Sequence, residues 1–454
     1  MIRQDEKSLV AANAERLGIA RRSFSTHVAW TLLARLIIAG SNVLAGVVIA
    51  RTLGAEALGT YVSLNVVALT AVQLGSFGLP SAATYFVAQG ARRFRSISFN
   101  ALLFAFAMGV LLASALTAAT YGDAPFLPQA PMNLLFLAAL SVPFQLLTLV
   151  SLNILLGAGE VGRFSAFDAL GQSLTLINAI AALLLARTGL FHFMALNLAA
   201  SATITLIVLA RIFRHPTFTE GQMVPDLALL SEMIRYGLKA HVTLVASFLI
   251  FRIDLLIVEH FRGAAEAGVY AVAAQFASLL MLLPSVIGTL LFPRIAAIGD
   301  EDAAMTCQVA RRTSAIMAFI CVATGALGLM LPALYGAAFA PAPYLLLILL
   351  PGVFLIGIES VLVQYFTGRG LPRAIPFFWI ITLAINLALN FAFVPAFGAY
   401  AAAVVSTISY ATIFALVALH LRSKTGQALS AMLVPRPSEI NGILGMRWKG
   451  SKAH

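Results

Sequence analysis

Apolar segments of about twenty residues, separated by glycine, proline or charged residues, follow one another along most of the chain. A helix of that length rises about 30 Å, which matches the hydrocarbon thickness of a bilayer. The pattern predicts an all-α integral membrane protein of about twelve transmembrane helices. We place the spans at 28–50, 58–89, 97–119, 132–156, 165–186, 193–210, 236–258, 268–292, 313–331, 344–366, 374–394 and 399–421.

The second span, 58–89, is too long for one straight crossing. The stretch from Gly75 to Pro80 contains two glycines and a proline, which interrupt helices. We therefore expect the helix to end or break there, with residues 80–89 forming a short continuation or an interfacial piece.

Composition supports the membrane class and changes the meaning of the positive charge. Apolar residues make up 61% of the chain and charged residues 10%, and the mean hydropathy is +0.95. The net charge is +11. With both termini in the cytoplasm, 24 Lys and Arg residues fall inside, three fall in outer loops and two fall within spans. Because the positive charges follow the positive-inside rule, the basic pI needs no nucleic-acid partner.

The spans divide into two similar sets of six. We predict a cytoplasmic N-terminal tail (1–27), a six-helix lobe (28–213), a cytoplasmic linker (214–235), a second six-helix lobe (236–421) and a cytoplasmic C-terminal tail (422–454). The first 27 residues lack the apolar core of a signal peptide. The loops are too short for a folded soluble domain, and Cys307 and Cys321 have no metal-like spacing, so we expect no metal.

An internal repeat supports the two-lobe division. The pattern Gly-x4-Gly-x-Tyr begins at Gly54 and again at Gly263, an offset of 209. Gly157-Ala-Gly159 corresponds to Gly368-Arg-Gly370 at an offset of 211, and Gly189 corresponds to Gly398 at 209. Six spans per half is an even number, so the halves have the same topology, as in transporters that work by alternating access.

Ionisable residues inside spans are costly, which makes a functional role their default interpretation. Candidates to bind substrate in a cavity are Arg35, Asn42, Arg252 and Asp254, and candidates for ion coupling are Glu359 and Asp254. Arg35 and Asn42 belong to a polar stripe on the first span. The alternative is that the charges only pair between helices, as Arg35 and Glu359 would at similar depths.

Four passages resemble the Wzx-type flippases of the polysaccharide transport family, which share a superfamily with MATE exporters and MurJ-type lipid II flippases. They are residues 50–61, residues 74–80, the segment from Arg252 through Tyr270 to Pro293, and the segment from Asn386 to Gly398. The resemblance implies two six-helix lobes around a cationic central cavity, with Arg35 on the cavity face of the first span.

The resemblance also implies a function. The chain would move a polyprenyl-diphosphate-linked oligosaccharide from the cytoplasmic to the outer leaflet of the bacterial inner membrane, for O-antigen, capsule or exopolysaccharide synthesis. It would need no cofactor beyond proton or sodium coupling. Its partners would be membrane lipids, the lipid-linked oligosaccharide and other polysaccharide assembly proteins.

Two other functions compete with this one. A MATE-like proton- or sodium-coupled drug antiporter would be expected to carry acidic residues in its first lobe, whereas the first span offers Arg35 and no acid. A polysaccharide polymerase or ligase would need a sizeable outer loop, and the outer loops here are short. His192 and His260 lie near the outer ends of spans, where we expect interfacial rather than catalytic histidines.

Overall fold

The computed structural model describes residues 21–90, 93–122, 127–219, 223–298, 300, 303–370 and 372–434. Within these ranges the chain is helical and contains no strand. The predicted tails lie outside the described residues, apart from 21–27 and 422–434. The helices are α1 (Arg21–Gly75), α2 (Leu79–Gln89), α3 (Phe94–Tyr121), α4 (Met132–Gly157), α5 (Val161–Ala179, followed by a π-helical Ile180–Leu185), α6 (Leu190–Phe213), α7 (Leu227–Arg262), α8 (Ala264–Leu279), α9 (Leu282–Ile298), α10 (Ala304–Gly328), α11 (Leu331–Tyr335), α12 (Ala342–Thr367), α13 (Ala374–Thr425) and α14 (Leu429–Leu433).

Ten helical stretches in the described part of the chain are long and apolar enough to cross a membrane. This confirms the predicted class of a multi-pass helical membrane protein. The helices α1 and α13, of 55 and 52 residues, each contain two of the predicted spans. Each is interrupted by one glycine outside helical geometry, Gly54 in α1 and Gly398 in α13. The total of twelve crossings and the cytoplasmic placement of both termini stay predictions.

The predicted break in the second span is confirmed. The helix α1 ends at Gly75, and α2 begins at Leu79 with Pro80 in its first turn. Between them Phe77 and Gly78 adopt positive φ angles of 47° and 72°. Proline is tolerated in a first helical turn because its missing N–H has no intrahelical partner there.

Packing divides the chain into two compact units, with the boundary between Val245 and Ala246. This boundary lies within α7, not in the proposed linker 214–235, which contains a 3₁₀ turn (Pro216–Thr219) and the start of α7. The lobe boundaries drawn from the sequence stay a prediction.

In the first unit α4 is the central helix, packed against α1, α2, α3, α5 and α6. Its apolar face, which includes Val142, Leu146 and Val150, forms much of the core. Gly109 of α3 allows close approach, because a Cβ there would lie 2.6 Å from the Cα of Pro143 in α4. Small residues at helix crossings serve the same purpose in other membrane proteins.

In the second unit the central helix is α12, packed against α8, α9, α10 and α13. Gly352 meets α13 closely, since a Cβ there would lie 2.7 Å from the Cα of Thr407. The Thr407 hydroxyl donates a hydrogen bond of 2.6 Å to the carbonyl of Ile348. The stretch that contains α12 is the most buried of the candidate spans, with 61% of its most apolar window buried.

Backbone geometry supports two of the three repeat matches. Gly54 and Gly263 have nearly equal φ angles, 88° and 86°, with extended ψ angles of −179° and 168°. Gly159 and Gly370 have φ angles of 79° and 96°. These are conformations that only glycine adopts readily, so the repeated glycines mark repeated turns.

Candidate functional site

Arg35 lies on the face of α1 that packs beside α5. Hydrogen bonds join the two helices on either side of it, from Thr31 to Ser165 at 3.2 Å and from Ser41 to Ser173 at 3.2 Å. The Arg35 side chain itself is exposed. Asp168 of α5 interacts with it electrostatically, although no salt bridge within 4.0 Å joins Arg35 to a described carboxylate. Arg35 belongs to the candidate membrane span Trp30–Gly75, and charged residues inside spans usually face a bundle interior or a water-filled cavity.

Asn42 lies on α1 seven residues beyond Arg35, about 10 Å along the helix. Its side chain is half-buried. The spacing of two helical turns keeps Arg35 and Asn42 on one face. The two residues therefore extend one polar face along α1.

Asp254 of α7 is only 2% exposed and accepts several hydrogen bonds. One Asp254 oxygen accepts the hydroxyl of Tyr270 in α8 and, at 2.7 Å, that of Ser406 in α13. The other oxygen accepts the backbone N–H of Leu255 at 2.8 Å. This carboxyl group thus joins three helices of the second unit, and both of its oxygens are occupied.

Arg252 lies two residues before Asp254 and is half-buried. Its charge acts on both Asp254 and Tyr410. As expected for residues two apart on a helix, no salt bridge within 4.0 Å joins Arg252 to Asp254 or to another described carboxylate.

Polar residues of α13 continue from this cluster into the core. The Asn386 amide donates to the Ser409 hydroxyl at 3.0 Å, and the Asn390 amide donates to the Asn386 carbonyl at 3.0 Å. All three residues have no exposed surface. The first bond joins the two parts of α13 on either side of Gly398, and the second lies within one turn of the helix.

Glu359 lies in the middle of α12 and is 2% exposed. Its Oε1 is buried without a hydrogen-bond partner among the described residues. A buried acid with an unpaired oxygen costs several kcal/mol in its charged form, so protonation is the cheaper way to satisfy it. Glu359 is therefore a buried acid with one unpaired oxygen in the middle of α12.

The five predicted site residues divide between the units. Arg35 and Asn42 belong to the first unit, whereas Arg252, Asp254 and Glu359 belong to the second. Tyr270 and Ser406, the partners of Asp254, were not predicted. Tyr270 did belong to the Gly-x4-Gly-x-Tyr repeat, which indicated a turn and gave no sign of what its hydroxyl contacts.

A second unpredicted cluster surrounds Glu160, at the turn between α4 and α5. Glu160 accepts hydrogen bonds from Arg163 at 2.5 Å and from Arg211, and His215 lies 3.4 Å away. His215 also stacks on Phe94, with the ring centroids 4.9 Å apart. Burial lowers the pKa of His215 below its ordinary value, and the positive charges of Arg211 and Arg163 act in the same direction, against the Glu160 carboxylate.

Comparisons with known proteins agree with this architecture. The family model for polysaccharide biosynthesis proteins matches residues 25–298. The fold is similar to that of the lipid II flippase MurJ in an inward closed conformation, with a TM-score of 0.75, 14% identity, and coverage of 91% of this chain and 90% of that one.

Multidrug transporters share the fold as well. An inward-facing multidrug resistance MATE family transporter of the MOP superfamily gives a TM-score of 0.67 at 16% identity, covering 87% of this chain and 99% of that one. An outward-facing transporter of the same description gives 0.61 at 15% identity, covering 88% and 94%. No curated protein matches the chain. At these identities the structural likeness establishes the fold and leaves the substrate open.

Proposed function

Because this chain belongs to the polysaccharide biosynthesis protein family, we propose that it is a flippase for polyprenyl-diphosphate-linked oligosaccharides. It moves the repeat unit of a bacterial polysaccharide from the cytoplasmic to the outer leaflet of the inner membrane, by alternating access. It works beside other polysaccharide assembly proteins, which extend or export the delivered unit.

The observation that carries this proposal is the exposed Arg35 inside the candidate membrane span Trp30–Gly75 of α1. A diphosphate headgroup cannot cross about 30 Å of hydrocarbon unaided, so its path needs water and fixed positive charge. A guanidinium binds phosphate oxygens through two parallel hydrogen bonds. A carrier of organic cations has the opposite requirement, an exposed carboxylate. Arg35 therefore favours an anionic substrate.

We assign the remaining candidates by the hydrogen-bonding groups and charges that their side chains do not already use within the protein. Asn42 has amide groups that suit sugar hydroxyls, and Arg252 supplies a second cation for the diphosphate. Asp254 already accepts three hydrogen bonds, so we assign it to holding α7, α8 and α13 together. Glu359, with an unpaired oxygen, is the residue that we assign to proton coupling.

The direct test is flipping of a fluorescent polyprenyl-diphosphate oligosaccharide by the purified protein in liposomes. We expect wild type to flip the lipid and Arg35→Ala to lose at least tenfold of the rate, with Arg252→Ala impaired to a lesser degree. The control is Arg312→Ala, which removes an exposed arginine of α10 outside the proposed site. Monodispersity and thermal unfolding show that each variant is folded.

The outcomes separate the substrate from the site. If wild type moves no lipid-linked sugar and instead exchanges organic cations for protons, the protein is an antiporter and the substrate assignment is wrong. If wild type flips the lipid and folded Arg35→Ala flips it equally fast, the substrate stands and the binding site does not.

A further inference from the structure

The chain that leaves the last long helix of the second unit folds back onto the first half of α10. Helix α13 ends at Thr425, and Gly426 follows it with a φ angle of 71°, the left-handed conformation in which glycine ends helices and reverses the chain. Residues 428–434, which include the five-residue helix α14, then lie against α10. We call residues 428–434 the strap.

Two side chains of α10 hold the strap by its backbone. The Arg311 guanidinium donates a hydrogen bond of 2.7 Å to the carbonyl of Ala431, and the Ser314 hydroxyl donates one of 2.7 Å to the carbonyl of Leu433. Arg311 and Ser314 are 7% and 2% exposed, whereas Arg312, the next residue of α10, is exposed. Because both bonds end on backbone carbonyls, they do not depend on the side chains of the strap.

One side chain of the strap supplements these backbone contacts. Met432 has no exposed surface. Leu429 and Leu433 lie on the same face of α14, at helical spacing, and are half-buried. Methionine is unbranched and flexible, so it fills irregular apolar sites. The first half of α10 therefore contacts two carbonyl groups and one long apolar side chain between them.

The first unit contains the same arrangement at corresponding positions. The chain that leaves α6 returns to α3, where the Asn100 amide donates to the carbonyl of Val224 at 3.3 Å and accepts the N–H of Asp226 at 2.7 Å. Arg311 corresponds to Asn100 at the repeat offset of 211, and Leu433 corresponds to Val224 at 209. Each unit therefore binds the backbone of its own departing chain in the first half of an equivalent helix.

The two returning segments differ in how firmly they are held. In the first unit the segment continues into α7, whose Leu229 and Met233 are buried in the core of that unit. Among the residues of the strap, Met432 alone is buried. A five-residue helix is too short to be stable by itself, so the strap keeps its helix only while it is docked. Separating it from α10 exposes one buried side chain and breaks two hydrogen bonds.

The side chains of α10 tolerate the departure of the strap, and docking links two helices. The Ser314 hydroxyl also lies 2.7 Å from the carbonyl of Arg311 in its own helix, so it keeps an acceptor when Leu433 leaves. Helices α10 and α13 both pack against α12. A docked strap joins the end of α13 to the first half of α10 and thus stabilises the second unit.

We propose that the first half of α10 is a peptide-binding site, which the strap of this chain occupies reversibly. Its ligand is a short peptide that offers two backbone carbonyls with one long apolar side chain between them. An occupied site links α13 to α10, and a vacant site loosens that link. The proposal requires no particular transported substrate, so it is tested separately from the flippase function.

A peptide added to the full-length protein tests the site. Met432→Glu puts a charge in place of a fully buried side chain, which is expected to release the strap and vacate the site. We expect a fluorescent peptide of residues 426–436 to bind Met432→Glu at least tenfold more tightly than wild type, as measured by fluorescence anisotropy. In wild type the tethered strap competes with the peptide at an effective concentration on the order of 1 mM.

Adjacent arginines of α10 provide the matched control. Adding Arg311→Gln to Met432→Glu removes the donor to the Ala431 carbonyl and is expected to weaken peptide binding at least tenfold. Adding Arg312→Gln instead changes an exposed residue and is expected to leave binding unchanged. A peptide that itself carries Met432→Glu is expected to bind none of these proteins. Equal affinity with and without Arg311→Gln would show that the peptide attaches elsewhere, which overturns the proposal.

Hydrogen exchange in wild type provides a second measurement that depends on no variant. At a peptide concentration that saturates wild type, we expect amide exchange in residues 428–434 to accelerate at least fivefold. Residues 224–230, the equivalent segment of the first unit, are expected to exchange at an unchanged rate. If the peptide binds without changing the exchange of the strap, the two do not share a site and the proposal fails.

Thermal unfolding reports the link between α13 and α10. We expect Met432→Glu to unfold at a lower temperature than wild type, and the peptide to recover most of that loss, because a ligand of the folded state stabilises it. Recovery in a protein that moves no lipid-linked sugar supports the peptide site and contradicts only the flippase function. A loss that the bound peptide does not recover contradicts the link between the two helices.

Discussion

The two units repeat the same turns but place different chemistry beside them. Each turn, at Gly54 and at Gly263, is followed seven residues later by a tyrosine, Tyr61 in the first unit and Tyr270 in the second. The Tyr61 ring packs on Phe193 at 5.1 Å, and its hydroxyl pairs with that of Thr175. The Tyr270 hydroxyl instead donates to Asp254.

The partner of the tyrosine explains this difference. At the repeat offset of 209, Asp254 corresponds to Ala45. An alanine offers no acceptor, so the tyrosine of the first unit turns to a neutral hydroxyl. The same repeat position thus supports a neutral pair in one unit and a buried carboxyl in the other.

The central helices differ in the same way. The glycines at the ends of α4 and α12 match at an offset of 211. At the same offset, Glu359 of α12 corresponds to Thr148 of α4. The Thr148 hydroxyl is satisfied by Thr205 at 2.8 Å, whereas Glu359 has an unpaired oxygen. The charged Arg35 of the first unit, in turn, corresponds at the offset of 209 to the apolar Leu244.

The comparison shows that the two units repeat the same helices and turns, whereas the charged residues within the helices do not occur at corresponding positions. The first unit has Arg35 exposed on its first helix, and the second unit buries three acids, Asp254, Glu259 and Glu359. If embedded charges only fastened helices together, duplicated helices would be expected to use similar pairs. Their asymmetry favours separate tasks, with the proposed substrate cations Arg35 and Arg252 in both units and the proposed coupling acid Glu359 in the second unit alone.

The largest effect is expected from Glu359→Gln, which keeps the shape of the side chain and removes its acidic proton. If Glu359 couples proton movement to transport, flipping driven by a pH gradient falls at least tenfold while unfolding temperature rises or stays equal. The rise follows because a neutral amide is cheaper to bury than an acid. Flipping rates with and without an imposed gradient provide the measurement.

Thr148→Val at the corresponding position of the first unit is the control for Glu359→Gln. It removes a satisfied hydroxyl and should leave the response to the gradient intact. If Glu359→Gln keeps the full gradient response, coupling lies elsewhere and the division of tasks between the units fails.

Asp254→Ala is expected to cause the largest loss of stability. It leaves the hydroxyls of Tyr270 and Ser406 buried without their acceptor, at about 3 kcal/mol in total. Tyr270→Phe removes one donor and should cost about 1.5 kcal/mol, and Tyr61→Phe in the first unit, which loses a neutral pair, about 1 kcal/mol or less. Unfolding temperatures of the purified variants rank the three. Equal losses for Tyr270→Phe and Tyr61→Phe would contradict the asymmetry.

The third pair of repeat glycines gives a smaller and very local contrast. Gly398 has a φ angle of 60°, and a Cβ there would collide with Glu266, whose Oε1 accepts the N–H of Ala399 at 2.7 Å. Gly189 has a φ angle of −89° and no atom within 4 Å of a Cβ. We expect Gly398→Ala to cost about 2 kcal/mol and Gly189→Ala less than about 0.5 kcal/mol.

The unfolding temperatures of these two glycine variants decide between a required and a tolerated glycine. If both alanine variants unfold like wild type, the contact between Glu266 and the α13 break contributes nothing measurable. If both are equally destabilised, the two glycines serve the same purpose after all.

The sequence alone predicted what depends on local pattern. Span positions, the break after Gly75 and the repeated turns follow from hydrophobic length and from glycine or proline chemistry, which act over a few residues. The continuity of α1 through Gly54 did not follow, because one non-helical residue can either end a helix or only redirect it.

The contacts of the candidate site depend on distant residues and were not predictable. Asp254 meets Ser406 across 152 positions of sequence, and Glu160 meets Arg211 across 51. A stripe on one helix identifies the face that carries Arg35 but not Asp168 on the facing helix. Tyr270 shows the same limit, since the repeat predicted its position and the partner of its hydroxyl came from another helix.

The smallest effect concerns the turns at Gly159 and Gly370. Both glycines have a positive φ angle, but the basic side chains near them differ. Beside Gly370, the guanidinium of Arg369 lies over the Tyr365 ring, 4.6 Å from the ring centroid. Near Gly159, burial lowers the pKa of His215. The ordinary histidine pKa in the unfolded chain is about 6.5. Just below that pH, His215 is therefore protonated in the unfolded chain and neutral in the folded protein.

Stability contributed through His215 is complete above a pH of about 6.5 and is lost as pH falls below it, until the lowered folded pKa is reached. Other groups also begin to bind protons as pH falls from about 7 to about 5, so the measurement is the difference between wild type and His215→Gln. Between about pH 7 and 5 we expect the unfolding temperature of His215→Gln to fall by about 1 °C less than that of wild type. An equal or larger loss in His215→Gln would mean that Glu160 dominates the environment of His215 and that the turns of the two units respond to acid alike.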